Sequence, residues 1–141
     1  ARDFSAAGDA ASDLQDMLIA QGQTQGRAFK PDPRPEAGSF FRSDHFPFVR
    51  VGVPAVSFRS GQDLVDGGLE AGEAWSKAYT ADKYHQPADE YGPDWNLEGM
   101  AQDAELLYRL GLTLANSGAW PEWKAGSEFK AARDATASAR R

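Results

Sequence analysis

The stretch Gly52-Val53-Pro54-Ala55-Val56-Ser57-Phe58 decides the predicted fold. Val53 to Phe58 is a short apolar run rich in β-branched and aromatic residues, and Gly52 and Ser60-Gly61 bound it. Such a run predicts a buried strand, and a strand that is apolar on both faces is typical of a parallel sheet. We therefore expect a buried, parallel strand here, with helices before and after it in the chain.

The N-terminal segment, residues 1–22, is predicted to be a helix. Ser5 or Asp9 would cap its start, and Gly22 stands where a C-terminal glycine is expected. Its apolar stripe consists of three residues at helical spacing, Leu14, Met17 and Leu18.

Shorter elements are predicted between this helix and the apolar run. Residues 27–29 are expected to form a short strand, and three prolines then predict an extended loop over 30–38. Ser43 is the expected N-cap of a short helix that ends at about Arg50. Asp44 would lie in its first turn, where the helix dipole favours a negative charge.

The clearest predicted helix runs from Asn96, as N-cap, to Gly118, as its terminating glycine. Leu106 and Leu110 lie on its second face, so we expect this helix to be well buried. Its first face is a broad apolar stripe that consists of Leu97, Met100, Ala101, Ala104, Leu107, Tyr108, Gly111, Leu114 and Ala115.

Two segments carry weak periodic signals. Residues 60–95 are predicted to be a long loop with one helical turn near 71–77, and long loops in compact domains are usually functional or disordered. Residues 124–141 are predicted to be a helical or frayed tail, which follows a domain of residues 1–123.

Length and composition predict one compact domain with a modest core, since the chain has 141 residues and 41% of them are hydrophobic. The formal net charge of -6 argues against nucleic acid as a partner. No apolar run approaches the roughly 20 residues that span a bilayer. Cysteine is absent, which excludes disulfides and thiolate chemistry.

The segment Tyr84-His85-Gln86-Pro87-Ala88-Asp89 is the strongest candidate for a site. His85 is either a metal ligand or an ordinary hydrogen-bonded loop histidine. The metal-ligand interpretation arises because a neutral imidazole is the commonest nitrogen ligand of zinc. The Tyr84 hydroxyl either donates to a developing oxyanion or simply meets water. Asp89 either orients the imidazole or, as we expect, braces the loop by accepting backbone N–H groups.

The second histidine lies in Ser43-Asp44-His45-Phe46-Pro47-Phe48. Neighbouring side chains on a helix point apart, so Asp44 and His45 do not make a catalytic dyad by themselves. Asp44 is either a charge at the helix start or a hydrogen-bond acceptor behind a site. We expect His45 to have the same kind of supporting or structural role.

Together these residues resemble the co-catalytic zinc exopeptidases, the family of bacterial leucyl-type aminopeptidases and glutamate carboxypeptidases. The resemblance covers about residues 36–118. It consists of Phe41-Arg42-Ser43-Asp44-His45, Phe48, Gly52-Val53-Pro54-Ala55, Tyr84-His85 with Pro87 and Asp89, and the helix from Asn96.

The resemblance implies an α/β fold in which a mostly parallel sheet is flanked by helices as a three-layer sandwich, of which this chain holds an incomplete, C-terminal part. It implies two zinc ions that share a water or hydroxide, with a nearby Glu as general base for peptide hydrolysis. By the same resemblance His85 is a zinc ligand, Tyr84 stabilises the tetrahedral intermediate, and Asp44 lies next to the metals.

The family's other zinc ligands come from an upstream His-x-Asp segment, a Glu-Glu pair and a further acidic residue. This chain contains no His-x-Asp and no Glu-Glu. We therefore expect a C-terminal fragment of a longer zinc-dependent exopeptidase, which binds zinc weakly and is inactive alone. Its expected partners are a peptide substrate and the missing N-terminal part of the domain, and a homo-oligomer stays open. Relatives favour an exported protein.

Two other functions remain open. A metal-free binding module of the same fold would have little reason to keep an imidazole after Tyr84. A glutaminyl cyclase-like acyl transferase shares the Asp-His and His…Asp pattern, but such enzymes tend to have Trp before the ligand histidine. Tyr84 therefore favours peptide hydrolysis.

Overall fold

The computed structural model describes residues 1–8 and 11–140. Its sheet consists of β1 (Asp3–Ala6), β2 (Ala28–Lys30) and β3 (Phe58–Ser60) in the order β2-β1-β3. The β1 strand pairs in parallel with β2 and antiparallel with β3. The predicted α/β class is confirmed, but this small sheet is mixed rather than mostly parallel, and the three-layer sandwich stays a prediction.

Helices form most of the remaining regular structure, and none of those in the described residues has the length and hydropathy that a bilayer-spanning helix requires. The α-helices are α1 (Asp13–Thr24), α2 (Phe46–Arg50), α3 (Gly68–Asp82), α4 (Glu98–Ser117) and α5 (Lys130–Asp134). Short 3-10 turns lie at Pro35–Ala37, Ser39–Arg42 and Ala137–Ala139.

The helix predicted over residues 1–22 is wrong for its first part. The β1 strand lies at the centre of the sheet, and the side chain of Phe4 is completely buried. Ser5 therefore lies in a strand and caps no helix, and the other candidate cap, Asp9, lies outside the described residues. A strand of four residues is too short to reveal an alternating pattern, so pairing with its neighbours decides its conformation.

The α1 helix has the predicted apolar stripe but a different start. Ser12 caps it and accepts a hydrogen bond from the backbone N–H of Gln15 at 3.4 Å. Leu18 is fully buried, and the other two residues of the stripe pack against the same cluster. The predicted terminal glycine, Gly22, lies inside the helix and faces the ring of Phe4.

The strand predicted over Val53–Phe58 is displaced along the chain, and its parallel direction is wrong. Residues 53–57 precede β3, and their backbone contributes one bond to the N-terminal segment, from the N–H of Ala7 to the carbonyl of Ser57 at 2.8 Å. Pro54 has no N–H to donate to a ladder, which disfavours a central strand here. The side chain of Val56 instead packs against both hydrophobic clusters.

The long loop predicted over 60–95 contains the 15-residue helix α3. Its apolar residues do not form a buried stripe, since Gly72 is its one buried residue and Trp75 is 65% exposed. Sequence periodicity detects helices by their buried face, and α3 has almost none.

The α4 helix occupies its predicted range. Its N-cap is Leu97 rather than the predicted Asn96, although the Asn96 side chain accepts a hydrogen bond from the backbone N–H of Glu98 at 2.9 Å. Gly118 ends the helix in the left-handed conformation. The predicted burial is wrong for most of the helix. Leu106 and Leu110 pack in the core with Phe4 and Leu18, whereas most of the broad apolar stripe faces outward.

A second cluster joins the middle and the end of the chain. Phe40, Val49 and Trp123 are buried together, and the indole N–H of Trp123 donates to the carbonyl of Gly52 at 3.0 Å. The short helix expected from Ser43 begins at Phe46 instead.

A buried guanidinium joins the sheet to α4. Arg27 donates from Nε and Nη2 to the carbonyl of Asp3 at 3.2 and 2.8 Å. Its Nη1 lies 2.8 Å from Oδ1 of Asp103, and the Arg27 side chain is 2% exposed. The Arg27–Asp103 contact is an ion pair. It does not have the geometry of a hydrogen bond, because Oδ1 of Asp103 has no hydrogen-bond partner among the described residues.

Gly22→Ala is expected to lower the free energy of unfolding by about 1–3 kcal/mol, because the added methyl overlaps the Phe4 ring. Gly111→Ala is the matched control, since its methyl would enter open space in the middle of α4. It should stabilise the chain by about 0.5–1 kcal/mol. Urea unfolding curves of both variants measure the difference, and equal midpoints would contradict the packing of α1 on β1.

Candidate functional site

His85 lies in a tight turn that follows α3. Its φ of +59° is the only positive value at a non-glycine residue in the part of the chain that the structure describes. Hydrogen bonds on either side hold the turn, from the N–H of Tyr84 to the carbonyl of Tyr79 at 2.9 Å and from Gln86 to Lys83 at 2.8 Å. Left-handed geometry is uncommon for residues other than glycine, although histidine is among those enriched there.

The imidazole of His85 lies at the surface and ends a row of four rings. It stacks on the Tyr84 ring with centroids 3.9 Å apart, and Tyr84 contacts the Tyr79 ring at 6.1 Å. The Tyr79 ring in turn stacks on the Trp75 ring, with a centroid distance of 5.4 Å and an angle of 2° between the ring planes. Neither imidazole nitrogen has a hydrogen-bond partner among the described residues, so His85 is not a satisfied core histidine.

Asp89 closes the turn through Tyr79. The Tyr79 hydroxyl donates to Oδ2 of Asp89 at 2.8 Å, and the hydrogen bond, a small degree of burial and the negative charge together raise the pKa of Tyr79. Asp89 thus braces the turn through a phenol rather than through a backbone N–H group. Its part in any chemistry stays a prediction.

Sequence reasoning missed Tyr79 because it placed this region in a loop. The residue lies in the last turns of α3, five positions before Tyr84, and its importance is visible only once the helix is known. Recognition of α3 would have shown that the helix ends directly at the Tyr84-His85 motif.

Asp44 and His45 lie directly before α2, with His45 as its N-cap, so the prediction that Asp44 lies in the first turn of this helix is wrong. Asp44 is exposed, and the His45 ring meets Phe40 edge-on at 4.9 Å. Its Nε2 atom is buried without a hydrogen-bond partner in residues 1–8 and 11–140. Burial lowers the pKa of His45 below 6.5, and the charge of Asp44 opposes that shift.

The structure brings together Tyr84, His85 and Asp89, with Tyr79 added. Within the described residues no hydrogen bond, ion pair or ring contact joins Asp44 or His45 to that turn. A cavity of about 500 Å³ among the described residues also lies apart from the turn. It is lined by Leu14, Val53, Pro54, Leu114, Ala115, Gly118, Ala119, Trp120, Pro121 and Arg133.

A structural or catalytic zinc ion needs three or four protein ligands. No group of three or more His, Cys, Asp and Glu side chains that could hold a metal occurs in the described parts of the chain. The His85 imidazole is exposed and available, but these residues do not form a zinc site by themselves.

The family model of peptidase family M28 matches residues 1–108, which include both candidate motifs and the whole sheet. The chain belongs to peptidase family M28. Neither a comparison with curated proteins nor one with solved structures found a match. Membership of the M28 family confirms the resemblance to the zinc exopeptidases and supports a metallopeptidase as the wider class of activity.

The pH dependence of stability tests the environment of His45 in this M28 chain. Because the folded state lowers the pKa of His45, the unfolded state takes up the proton first as the pH falls below 6.5. Stability should therefore fall between pH 7 and pH 5, and His45→Phe should reduce that loss. At pH 7 the variant should be about as stable as the natural chain, or up to about 1 kcal/mol more stable.

Urea unfolding at a series of pH values measures this effect. Tyr91→Phe is the control, since Tyr91 is exposed and its one ring contact is with Trp95. Its profile should match that of the natural chain. An unchanged loss of stability in His45→Phe would show that His45 is not held in its neutral form.

Proposed function

We propose that this chain is part of a zinc-dependent, aminopeptidase-like exopeptidase and presents His85 as a metal ligand. The observation that supports this most directly is the exposed imidazole, fixed in a left-handed turn beside Tyr84 and free of hydrogen bonds from the described residues. Such an imidazole is accessible to a metal ion, and a neutral imidazole is the commonest nitrogen ligand of zinc. The family match includes this turn.

The remaining ligands, in this proposal, lie outside these 141 residues. One imidazole makes a poor zinc site, and the described residues offer no three-ligand group. The chain alone therefore binds zinc weakly and lacks peptidase activity.

The outward faces of α3 and α4 support a missing partner segment. Met100 and Tyr108 are 60% and 67% exposed on the side of α4 that faces away from the core. Other large apolar side chains that are exposed on these two helices are Leu69, Trp75, Leu107 and Leu112. Apolar surface of this kind marks an interface, and we assign it to the rest of the peptidase domain.

Tyr84 is the second residue with a proposed chemical role. Its ring is stacked on that of His85 with centroids 3.9 Å apart, and in this proposal its hydroxyl would lie beside a group that the imidazole holds. The side chain is 50% exposed, which leaves the hydroxyl free to donate to an oxygen of a peptide substrate. Such a donor stabilises the negative charge that develops on that oxygen during hydrolysis. Asp44 would border the site, and His45 would support α2.

The metal-free binding module is the alternative that the missing ligand group favours. Metal analysis separates the two proposals. A longer natural form of the chain, purified without chelators, should carry zinc if it is a peptidase and none if it is a binding module.

Activity measurements test the roles of His85 and Tyr84. The 141-residue chain should not hydrolyse an aminoacyl-anilide with or without added Zn²⁺. In the longer form, His85→Ala should reduce kcat/KM by more than about 100-fold. Loss of a residue that only hydrogen-bonds to a metal ligand costs up to about 100-fold, and loss of the ligand itself should cost more. Tyr84→Phe should reduce kcat by about 10²–10³-fold, the usual cost of one oxyanion donor.

Tyr91→Phe is again the matched control and should retain full activity. Hydrolysis by the 141-residue chain that a chelator abolishes would contradict the proposed division of ligands. Full activity of His85→Ala would contradict the assignment of His85.

A further inference from the structure

Tyr79 contacts the His85 turn through its backbone, its ring and its hydroxyl. Its carbonyl accepts hydrogen bonds from the N–H groups of both Lys83 and Tyr84 at 2.9 Å. Its ring lies between those of Trp75 and Tyr84. Its hydroxyl donates to Asp89 at 2.8 Å. One residue of α3 is therefore bound to both ends of the turn.

His85 lies between the two points at which Tyr79 holds the chain. Left-handed backbone geometry at a non-glycine residue costs of order 1 kcal/mol or more, so it persists only where surrounding contacts impose it. The turn itself is exposed and has no core to impose that geometry. The structure supplies the contacts of Tyr79, the short turn bonds and a hydrogen bond from the Gln86 side chain to the carbonyl of Ala81 at 2.8 Å.

We propose that Tyr79 is a positioning residue, whose hydrogen bond to Asp89 fixes the backbone and the ring of His85. This inference rests on the proposed function of His85, because a positioned imidazole matters only if it binds something. Tyr79 itself touches neither metal nor substrate in this proposal.

In this proposal the hydrogen bond from the Tyr79 hydroxyl to Asp89 is the contact that positions His85. A tyrosine hydroxyl keeps its proton at neutral pH, and that of Tyr79 donates it to the Asp89 carboxylate at 2.8 Å. An uncharged acceptor at position 89 should therefore serve as well as the carboxylate. This distinguishes a hydrogen-bond brace from an Asp89 charge that acts on the imidazole directly.

NMR spectra of the 141-residue chain test the proposal through the imidazole signals of His85. Stacking on the Tyr84 ring should displace these signals, which then report the position of the imidazole without any need for activity. Tyr79→Phe keeps the ring and removes the hydroxyl, and Asp89→Ala removes the acceptor. Asp89→Asn keeps an oxygen that accepts the same bond. Tyr91→Phe is the control for loss of a tyrosine hydroxyl elsewhere.

Tyr79→Phe and Asp89→Ala should each move the His85 signals most of the way to those of free histidine. The double variant should move them no further, because both changes break one bond. Asp89→Asn and Tyr91→Phe should leave the signals in place. Unchanged His85 signals in Tyr79→Phe, or an effect of Asp89→Asn equal to that of Asp89→Ala, would overturn the proposal.

Titration with Zn²⁺ alone separates this inference from the proposed function. If His85 is a ligand, Zn²⁺ should perturb its signals, and Tyr79→Phe should require about tenfold more Zn²⁺, the low end of the cost of losing an outer partner. If Zn²⁺ leaves the His85 signals of the natural chain unchanged, but Tyr79→Phe still moves them, the metal role is overturned and the positioning role is supported. Equal Zn²⁺ dependence in Tyr79→Phe would count against positioning.

Discussion

The buried guanidinium of Arg27 is the contact on which the described architecture depends. It holds the carbonyl of Asp3 on β1 and the carboxylate of Asp103 on α4, and it lies over the Phe4 ring at 5.4 Å. Removal of one partner from a buried ion pair leaves an uncompensated charge, which typically costs about 3–5 kcal/mol. This contact therefore fixes which face of α4 meets the sheet, and it leaves the opposite, apolar face outward.

The candidate site lies in the part of the chain that packs least. Residues 81–91 are all exposed, and α3 buries Gly72 alone. Segments with few buried contacts open locally at low cost, and binding residues are commonly carried by such segments. The geometry of His85 therefore depends on local bonds, from Tyr79 above all, rather than on the core. The same exposure leaves the imidazole accessible to a ligand.

The sequence was sufficient to predict elements with a strong local signal. The extent of α4, the apolar stripe of α1 and the Tyr84–Asp89 motif all follow from spacing or from residue type. The β1 strand was missed because its four residues acquire their conformation from pairing with β2 and β3. The α3 helix was missed because almost none of its surface is buried, and Tyr79 was missed with it.

The exposed apolar stripe of α4 shows a different limit of prediction from sequence. Periodicity identifies residues that share a face, but it does not reveal which face meets the core. Here the smaller face, with Leu106 and Leu110, packs on β1 and α1, and the broader one is free. That arrangement has a physical explanation if another segment of the peptidase covers the broader face.

Anomalous diffraction at the zinc edge, from crystals of a longer natural form of this M28 chain, tests the central claim most directly. The account predicts a zinc peak about 2.0–2.1 Å from a ring nitrogen of His85, with the other ligands contributed by residues outside these 141. A zinc ion held entirely by other residues, with the His85 ring turned away from it, would contradict the account.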